Sequence, residues 1–220
     1  MELKQVSTKQ FQCGYLDFST KSLRNLYLSQ YIFMKVNLSS YDKKNIEFNN
    51  SIGASKIKQV LWFLCSIIFI RNPFIPFSGF RKIILVLFGA TIGNEVRIRP
   101  GVQIKFPWKL TLGNHVWLGE HCWIDNLAAI SIGDHSCISQ GAYLCTGNHD
   151  YTTSGFELIM KPILIEDGVW IGAKAIVTPG VICHSHSILT AGSVATKNLD
   201  AFGVYQGNPA VKIKERTITI

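Results

Sequence analysis

The feature that most constrains the fold is a repeat with a period of twenty residues. Residues 91–110, 111–130 and 131–150 align without gaps, and a bulky aliphatic residue returns at every sixth position within them. We call these the lead residues; they are Ile92, Ile98, Ile104, Leu112, Leu118, Ile124, Ile132, Ile138 and Leu144. A helix repeats about every 3.6 residues and a strand about every two, so neither explains the spacing.

The six-residue phase breaks at residues 150–162 and then returns. The lead residues after the break are Ile165, Ile171, Val177, Cys183, Leu189 and Ala195. We interpret each hexad as a short strand and a turn, with three hexads closing one coil of a solenoid. Stacked coils lie about 4.8 Å apart, so equivalent residues form ladders along the axis. The pattern predicts an all-β solenoid, because the strands of a β-sandwich, the alternative, keep no six-residue phase.

The positive charge of the chain is confined to its N-terminal part. The net charge is +8; residues 1–91 contain 12 Lys and Arg against 4 Asp and Glu, whereas residues 92–220 contain 10 of each. A basic segment favours an anionic partner, either a membrane surface or nucleic acid. No nucleic-acid-binding motif accompanies it, so no nucleic acid is expected. The six cysteines form no CxxC pair, which is typical of reduced thiols in a cytoplasmic protein.

Segment 36–91 is predicted to form an apolar helical pair. Its apolar stretches, 60–70 and 83–88, are separated by RNPFIPFSGFRK, which contains turn-forming Pro and Gly. One interpretation is a cap over the open end of the solenoid. The other is a peripheral membrane contact, since both stretches are too short to span a bilayer. In that case Trp62 enters the interface, and the basic residues at the head groups are Arg71, Arg81 and Lys82.

Three sequence runs carry a resemblance to a known family. PILIEDGVWIGAKAIVTPGVICHSHSILTAGSVATKNL covers residues 162–199, and GNPAVKIKER covers residues 207–216. Both resemble the hexapeptide-repeat acyltransferase superfamily. LCTGNHDY, at residues 144–151, is similar to its subgroup of WcaF-like acetyltransferases of colanic acid and exopolysaccharide synthesis. Cys183 and His184 depart from the pattern, where Ile and Gly are usual.

The resemblance implies a left-handed parallel β-helix over residues 92–200, with a loop at 150–162 and a C-terminal tail at 201–220 that completes the donor site. It also implies acetyl-CoA as donor, a homotrimer, and a saccharide acceptor of exopolysaccharide, capsule or lipopolysaccharide biosynthesis. Whether that acceptor is lipid-linked stays open. The expected location is the cytoplasm, with contact at the inner membrane face as the open alternative. Residues 1–35 are interpreted as an extension, with Met34 as an alternative start.

His149 is the candidate catalytic base. Acetyl transfer to a hydroxyl requires a group that takes its proton, and histidine suits this role because its pKa lies near neutrality. His149 ends the third coil where the repeat breaks, and an excursion loop on a rigid scaffold is a common place for function. The resemblance implies that the His of TGNHDY is the base. The remaining histidines occupy turn positions and are interpreted as surface residues: His115, His121, His135, His184 and His186.

Asp125, Asn126 and Asp150 are the candidate acceptor-binding residues. Asp125 and Asn126 lie one coil before the end of the third repeat, so stacking brings them near the corner that leads to His149. The resemblance implies that this region faces the acceptor sugar, and a purely structural turn pair is the alternative. Asp150 is adjacent to His149 and is also a candidate to orient its ring, although neighbouring residues rarely join their side chains by a hydrogen bond.

The candidate acetyl-CoA site combines two corners of small residues with a cluster of cations. Gly172–Ala173–Lys174 and Ala191–Gly192–Ser193 occupy matching corners of successive coils, where small residues let the pantetheine arm lie against the backbone. Cations that suit its phosphates are Lys197, Lys212, Lys214 and Arg216. Asn208 and Pro209 belong to the terminal motif. In the family that the chain resembles, this site lies between neighbouring subunits of a trimer.

A metal site is not expected. The zinc site that γ-class carbonic anhydrases build on this fold needs three converging histidines, whereas His115 and His135 share one corner and His121 lies on another face. The sequence leaves three functions open: acetylation of a saccharide, acetylation of a small free acceptor such as a sugar, serine or an antibiotic, and a non-catalytic scaffold. The intact His149 and the GNPA terminus favour an enzyme.

Overall fold

The repeat region forms a three-sided solenoid that is preceded by helices. A computed structural model of the chain describes residues 52–75, 77–153 and 155–219. The predicted extension 1–35 and the start of segment 36–91 lie outside the described residues. Helix α1 (Lys56–Cys65) continues into a π-helical turn (Ser66–Ile70), and helix α2 (Ser78–Leu87) follows it.

Three sheets, named faces A, B and C, enclose the interior, and their strands pair in parallel except for β18 with β19. Face A contains β1 (Thr91–Ile92), β4 (Leu110–Leu112), β7 (Ile130–Ile132), β12 (Ile163–Ile165) and β15 (Ile182–Cys183). Face B contains β2 (Arg97–Ile98), β5 (Trp117–Leu118), β8 (Cys137–Ile138), β13 (Trp170–Ile171), β16 (Ile188–Leu189), β18 (Gly203–Gly207) and β19 (Ala210–Glu215). Face C contains β3 (Gln103–Ile104), β6 (Trp123–Asp125), β9 (Tyr143–Cys145), β14 (Ile176–Val177) and β17 (Val194–Ala195). A separate antiparallel pair consists of β10 (Gly147–His149) and β11 (Leu158–Met160), and a 3-10 helix spans Pro107–Lys109.

The register of the strands reproduces the twenty-residue period. Leu118 pairs with Ile138 on face B, and Ile124 pairs with Leu144 on face C, both in parallel. Ile138 then pairs with Ile171, because the hairpin of β10 and β11 is inserted between those two coils. The predicted parallel β-helix with three hexads per coil and a preceding helical segment is confirmed.

The lead residues fill the interior as predicted. Ile98, Leu118, Ile124, Ile138 and Leu144 are each at most 1% exposed. Burial of one such side chain contributes roughly 2 kcal/mol, and each also contacts the equivalent residue of the neighbouring coil. The outward neighbours of the lead residues face away from this interior, which is why adjacent positions along one strand differ so sharply in burial.

The corners between faces are tight, and their residue types reflect this. A Cβ atom on Gly119 would lie 2.5 Å from the Gln140 backbone nitrogen of the next coil, so no larger residue fits without moving a strand. His115, His121 and His135 have φ near +57° and occupy the left-handed corner position. That region tolerates few residue types other than Gly, Asn, Asp and His. These histidines therefore lie at turn positions, as predicted.

The helices cover the first coil. Trp62 is 3% exposed and its indole nitrogen donates to the Ile104 carbonyl at 3.1 Å. Ile70, Ile84 and Leu85 join the same buried cluster as the lead residues. The helical segment thus closes the apolar end of the solenoid, as the cap interpretation requires. Among the described helices, none is long and apolar enough to cross a bilayer.

Arg81 has a structural role that the sequence did not predict. Its side chain is fully buried, and its guanidinium donates to the carbonyls of Ile70 at 3.2 Å, Asn72 at 3.2 Å, Ile75 and Ile98. These carbonyls belong to the end of the π-helical turn, the segment after it and the first coil. The expectation that Arg81 lies at lipid head groups is therefore wrong, because its charge is needed to satisfy buried backbone groups.

Replacing Arg81 with Met should lower the free energy of unfolding by about 3 kcal/mol or more, because several buried carbonyls lose a charged donor. Arg71→Met is the matched control. Arg71 is exposed, and its replacement should change the free energy by less than about 0.5 kcal/mol. Urea titrations followed by circular dichroism measure both variants. Coincident unfolding midpoints for the two would show that the Arg81 contacts do not stabilise the cap.

Candidate active site

Each coil has three corners, and the candidate site residues divide among them. The chain passes from face A through corner AB to face B, through corner BC to face C, and through corner CA to the next coil. His149 leaves the solenoid at corner CA of the third coil, directly after β9. There the short turn is replaced by the hairpin of β10 and β11, in which His149 pairs with Leu158. The predicted excursion at 150–162 is thus a hairpin that begins in β10.

The hairpin fixes the orientation and tautomer of the His149 ring. Its Nδ1 atom lies 2.8 Å from the Phe156 carbonyl oxygen. A carbonyl accepts and cannot donate, so in the neutral ring Nδ1 carries the hydrogen and Nε2 holds a free lone pair. The Phe156 ring also stacks on the imidazole, with centroids 4.4 Å apart and planes inclined by 7°. His149 is exposed, so its Nε2 atom is accessible to a ligand.

Phe156 adopts an unusual backbone conformation to make both contacts. Its φ is +47°, in the left-handed region that bulky residues rarely occupy. Backbone outliers of this kind persist only where the surrounding contacts compensate for them. Phe156 could not be predicted from the sequence, because nothing in a hexad pattern relates position 149 to position 156.

Asp125 lies in a polar cluster at the end of face C. It is 8% exposed, and Oδ2 accepts a hydrogen bond of 3.0 Å from the Tyr143 hydroxyl. Oδ1 lies 3.0 Å from Lys105 Nζ, but no well-directed hydrogen bond from the described residues reaches it. We consider the ion pair the relevant contact, since charge attraction does not depend on a narrow angle. Burial, together with a hydrogen bond to Cys145 and the charge of Asp125, raises the pKa of Tyr143, which therefore stays protonated and can donate.

An aromatic pair beside Asp125 was also missed. The Trp123 and Tyr143 rings stack with centroids 4.7 Å apart and planes inclined by 28°. Trp123 is 41% exposed on the outer side of face C. A signal for the pair existed, because the two aromatic residues precede Ile124 and Leu144, two lead residues of adjacent coils.

Asn126 is buried and therefore not available to an acceptor, contrary to expectation, whereas Asp150 is hydrogen-bonded within its own turn and its contact with an acceptor stays a prediction. Asn126 is fully buried, and its amide exchanges hydrogen bonds of 2.9 and 2.6 Å with the Phe106 main chain. Its polar atoms therefore support the bulge at corner CA. The Asp150 carboxylate accepts from the Thr152 hydroxyl and, at 2.9 Å, from the Thr152 amide, and these bonds lower the pKa of Asp150. It caps the hairpin turn and does not orient the His149 ring.

The two predicted corners of small residues stack at corner BC. A Cβ atom on Gly172 would lie 2.5 Å from the Ala191 nitrogen, and the Gly192 amide donates to the Ala173 carbonyl at 2.9 Å. Lys174, Ala191 and Gly192 are exposed there. Ser193 is 1% exposed, and its hydroxyl accepts from the Gly207 amide at 3.0 Å. Ser193 therefore anchors the terminal motif from inside and presents no free hydroxyl.

The predicted phosphate-binding cations differ in their exposure and in the groups that they contact. Lys197 and Lys214 are exposed. Lys212 lies 2.8 Å from Glu215 and 3.6 Å from Asp200, and the hydrogen bond to Glu215 is the main reason why its pKa is raised. Arg216 donates to main-chain carbonyls at corner AB, those of Gly168 at 2.8 Å and His186 at 3.1 Å. Asn208 and Pro209 form the exposed turn between β18 and β19.

Within one chain, the candidate base and the small-residue corner are separated. His149 belongs to corner CA, whereas Gly172 and Ala191 belong to corner BC, on the opposite edge of face C. The remaining histidines lie at corners other than that of His149: His115 and His135 stack at corner AB with centroids 4.7 Å apart, and His121 lies at corner BC. No group of three or more metal-ligating side chains occurs among the residues that the structure describes.

Comparisons with known proteins identify the family. No protein-family model matches the chain. A hexapeptide-repeat acetyltransferase of Vibrio cholerae, solved in complex with acetyl-CoA, matches with a TM-score of 0.64 and 22% identity over 81% of this chain and 93% of that one. A galactoside acetyltransferase solved with coenzyme A gives a TM-score of 0.65 and 23% identity over 73% and 82%. These likenesses show the shared fold.

A relative with higher identity extends the comparison from fold to family. The chain is 42% identical over 168 residues to a protein of Escherichia coli (strain K12) that is named as the colanic acid biosynthesis acetyltransferase WcaF. The match covers 76% of this chain and 92% of that protein, so it includes almost the whole relative. The chain therefore belongs to the hexapeptide-repeat acetyltransferases, and within them to the group of WcaF.

Proposed function

We propose that this protein transfers the acetyl group of acetyl-CoA to a saccharide hydroxyl during exopolysaccharide synthesis, with His149 as the general base. The contact that carries this proposal is the 2.8 Å hydrogen bond between His149 Nδ1 and the Phe156 carbonyl. It leaves the Nε2 lone pair free and exposed, as a base for an incoming hydroxyl requires. The 42% identical relative, named for colanic acid biosynthesis, supports the saccharide acceptor.

The transfer needs one proton acceptor and no covalent enzyme intermediate. His149 Nε2 takes the hydroxyl proton while the oxygen attacks the thioester carbonyl. The resulting tetrahedral intermediate collapses by breaking the carbon–sulfur bond, and the protonated His149 returns its proton to the thiolate of coenzyme A. The Phe156 carbonyl stabilises the imidazolium through the Nδ1 hydrogen bond.

The donor fits corner BC. Ala191 and Gly192 are exposed and carry little or no side chain at this edge, so a pantetheine arm can lie against the backbone. Lys174, Lys197 and Lys214 are the exposed cations that suit its phosphates. Acetyl-CoA bound to the Vibrio cholerae relative supports this donor. We assign the reaction to the cytoplasm, where acetyl-CoA is available.

The acceptor fits the outer side of face C next to corner CA. The exposed Trp123 ring offers an apolar surface for the carbon face of a sugar, and its stacking on Tyr143 holds it in place. Lys105 and Asp125 provide polar partners beside it. Asn126 takes no part in this site, because its amide is engaged by Phe106.

A homotrimer completes the site. His149 and corner BC lie on opposite edges of face C in one chain, so a base and a donor that act on one acceptor come from neighbouring subunits. Cyclic threefold assembly satisfies this requirement with three identical sites, since each chain gives its hairpin to one neighbour and its corner to the other.

The role of His149 is tested by replacement with Ala. Turnover of acetyl-CoA with an oligosaccharide acceptor should fall about 100-fold or more, because the hydroxyl loses its proton acceptor. Acetyl-CoA affinity, measured by calorimetry, should change little. His115→Ala is the control, since His115 stacks on His135 at corner AB and should retain normal turnover. Near-normal turnover of the His149 variant would remove this residue from the mechanism.

The shared site is tested by mixing two inactive variants. Ala191→Trp should block the donor corner, and His149→Ala removes the base. Co-expressed at equal levels, the two chains should recover about a quarter of the sites, those in which an intact hairpin meets an intact corner. Light scattering should give a trimer for each preparation. Absence of activity in the mixture, or a fully active monomer of the unmodified chain, would contradict a site between subunits.

The nature of the acceptor is tested by a screen. Purified protein with radiolabelled acetyl-CoA should label lipid-linked oligosaccharides or their free glycans, and serine and aminoglycosides should stay unlabelled. Equal labelling of lipid-linked and free glycans would show that the lipid is not recognised. Labelling confined to serine or an antibiotic would overturn the saccharide proposal.

A further inference from the structure

The helical segment carries an unusual number of exposed apolar side chains. Between residues 57 and 87, thirteen large apolar residues are exposed, whereas the rest of the described chain has ten exposed large apolar residues. We call these thirteen residues the apolar helical surface: Ile57, Val60, Leu61, Phe63, Leu64, Ile67, Ile68, Phe74, Phe77, Phe80, Ile83, Val86 and Leu87. Large exposed apolar areas on soluble proteins mark binding surfaces.

The cap role does not account for this surface. The side chains that close the first coil are Trp62, Ile70, Ile84 and Leu85, and all of them are less than 9% exposed. The apolar helical surface consists of other residues of the same helices, which remain exposed after the solenoid end is covered. A helix that needed only to cap the solenoid would carry polar residues at those positions.

The charges around the surface indicate an anionic partner. From residue 48 to residue 94 the sequence contains no Asp or Glu. Lys56 and Arg71 are exposed, at the start of α1 and directly after the π-helical turn. Arg81 and Lys82 are directed to backbone carbonyls of the cap and the first coil, so they do not belong to the free charges. An apolar surface that contains no acidic residue and is flanked by cations is suited to bind the interface of a bilayer of anionic lipids.

The turn between the helices presents aromatic side chains. Phe74 is 89% exposed and Phe77 is 71% exposed, and both follow Arg71 in the connection to α2. Aromatic residues beside cations are typical of segments that lie in the lipid head-group region. A second copy of this chain is a poorer occupant. Two such surfaces face to face would bring their cations together, with no acidic residue of the surface to offset them.

We propose that the apolar helical surface docks this protein on the anionic interface of a lipid bilayer. This function is separate from acetyl transfer, since the surface lies on the helices and the candidate site lies on the solenoid and its hairpin. Phe74 and Phe77 enter the interface, and Lys56 and Arg71 contact lipid phosphates. The helices lie on the membrane and do not cross it, as their length requires.

Sedimentation of the full-length chain with vesicles tests the proposal. The protein should co-sediment with vesicles of phosphatidylglycerol and phosphatidylethanolamine at low salt, and high salt should weaken the binding by screening. Vesicles of phosphatidylcholine alone should bind far less. Light scattering without vesicles excludes aggregates from the pellet.

Matched variants locate the contact. Phe74→Ser with Phe77→Ser should lower the vesicle affinity about tenfold or more, because exposed apolar area no longer enters the interface. Lys56→Gln with Arg71→Gln should lower it about fivefold per cation at low salt. Ile213→Ser with Ile218→Ser is the control, since it removes two exposed apolar side chains near the C-terminus. All of these side chains are exposed, so the melting temperatures should stay close to that of the unmodified protein.

Three results would overturn the proposal. The first is failure of the unmodified protein to bind anionic vesicles at low salt. The second is equal binding to phosphatidylcholine vesicles, which would remove the role of charge. The third is an equal loss of binding in the control variant. If vesicle binding is absent while light scattering shows concentration-dependent association, the surface contacts a second copy of the chain. Each result is independent of whether the protein transfers acetyl groups.

Discussion

The stacking of aliphatic residues along the solenoid axis is the interaction on which the rest of the structure depends. Ile124 lies beside Leu144, and Leu118 beside Ile138, in parallel strands whose backbones are hydrogen-bonded coil to coil. Because every coil must keep this register, the corners cannot widen. The close approach of Gly119 to Gln140 and of Gly172 to Ala191 follows from that constraint. The same stacking makes the coils that carry the candidate site rigid.

The candidate base lies where the repeat is interrupted. In a regular coil the backbone polar groups are hydrogen-bonded to the neighbouring coils. They are therefore not available to bind a ligand. The insertion after β9 frees a hairpin, and in this hairpin a strained Phe156 backbone directs a carbonyl at His149. At corner BC the coil edge is bare, because Ala191 and Gly192 are exposed and carry little or no side chain. A rigid edge and an inserted hairpin together make the candidate site.

Several polar residues that suggested ligand binding serve the fold. Asn126 satisfies the Phe106 main chain, Ser193 holds Gly207, and Arg216 binds carbonyls at corner AB. Arg81 does the same under the cap. All four occur where the coil pattern is irregular or ends, and there buried backbone groups lack the partners that neighbouring strands supply. Polar residues at such positions are therefore ambiguous in a sequence, since both folding and binding require them.

The sequence by itself determined the coil, its register and the position of the break at His149. Residues that are one period apart in the sequence stack on each other in adjacent coils. The pairing of Ile124 with Leu144 therefore follows from the sequence alone. Only the tertiary structure decided the tautomer of His149, the burial of Arg81 and the stacking of Trp123 on Tyr143. The first two depend on backbone outside the repeat, where no period relates one residue to another. For the third, the twenty-residue spacing places Trp123 beside Tyr143, but it does not specify the side-chain orientation that stacks the two rings.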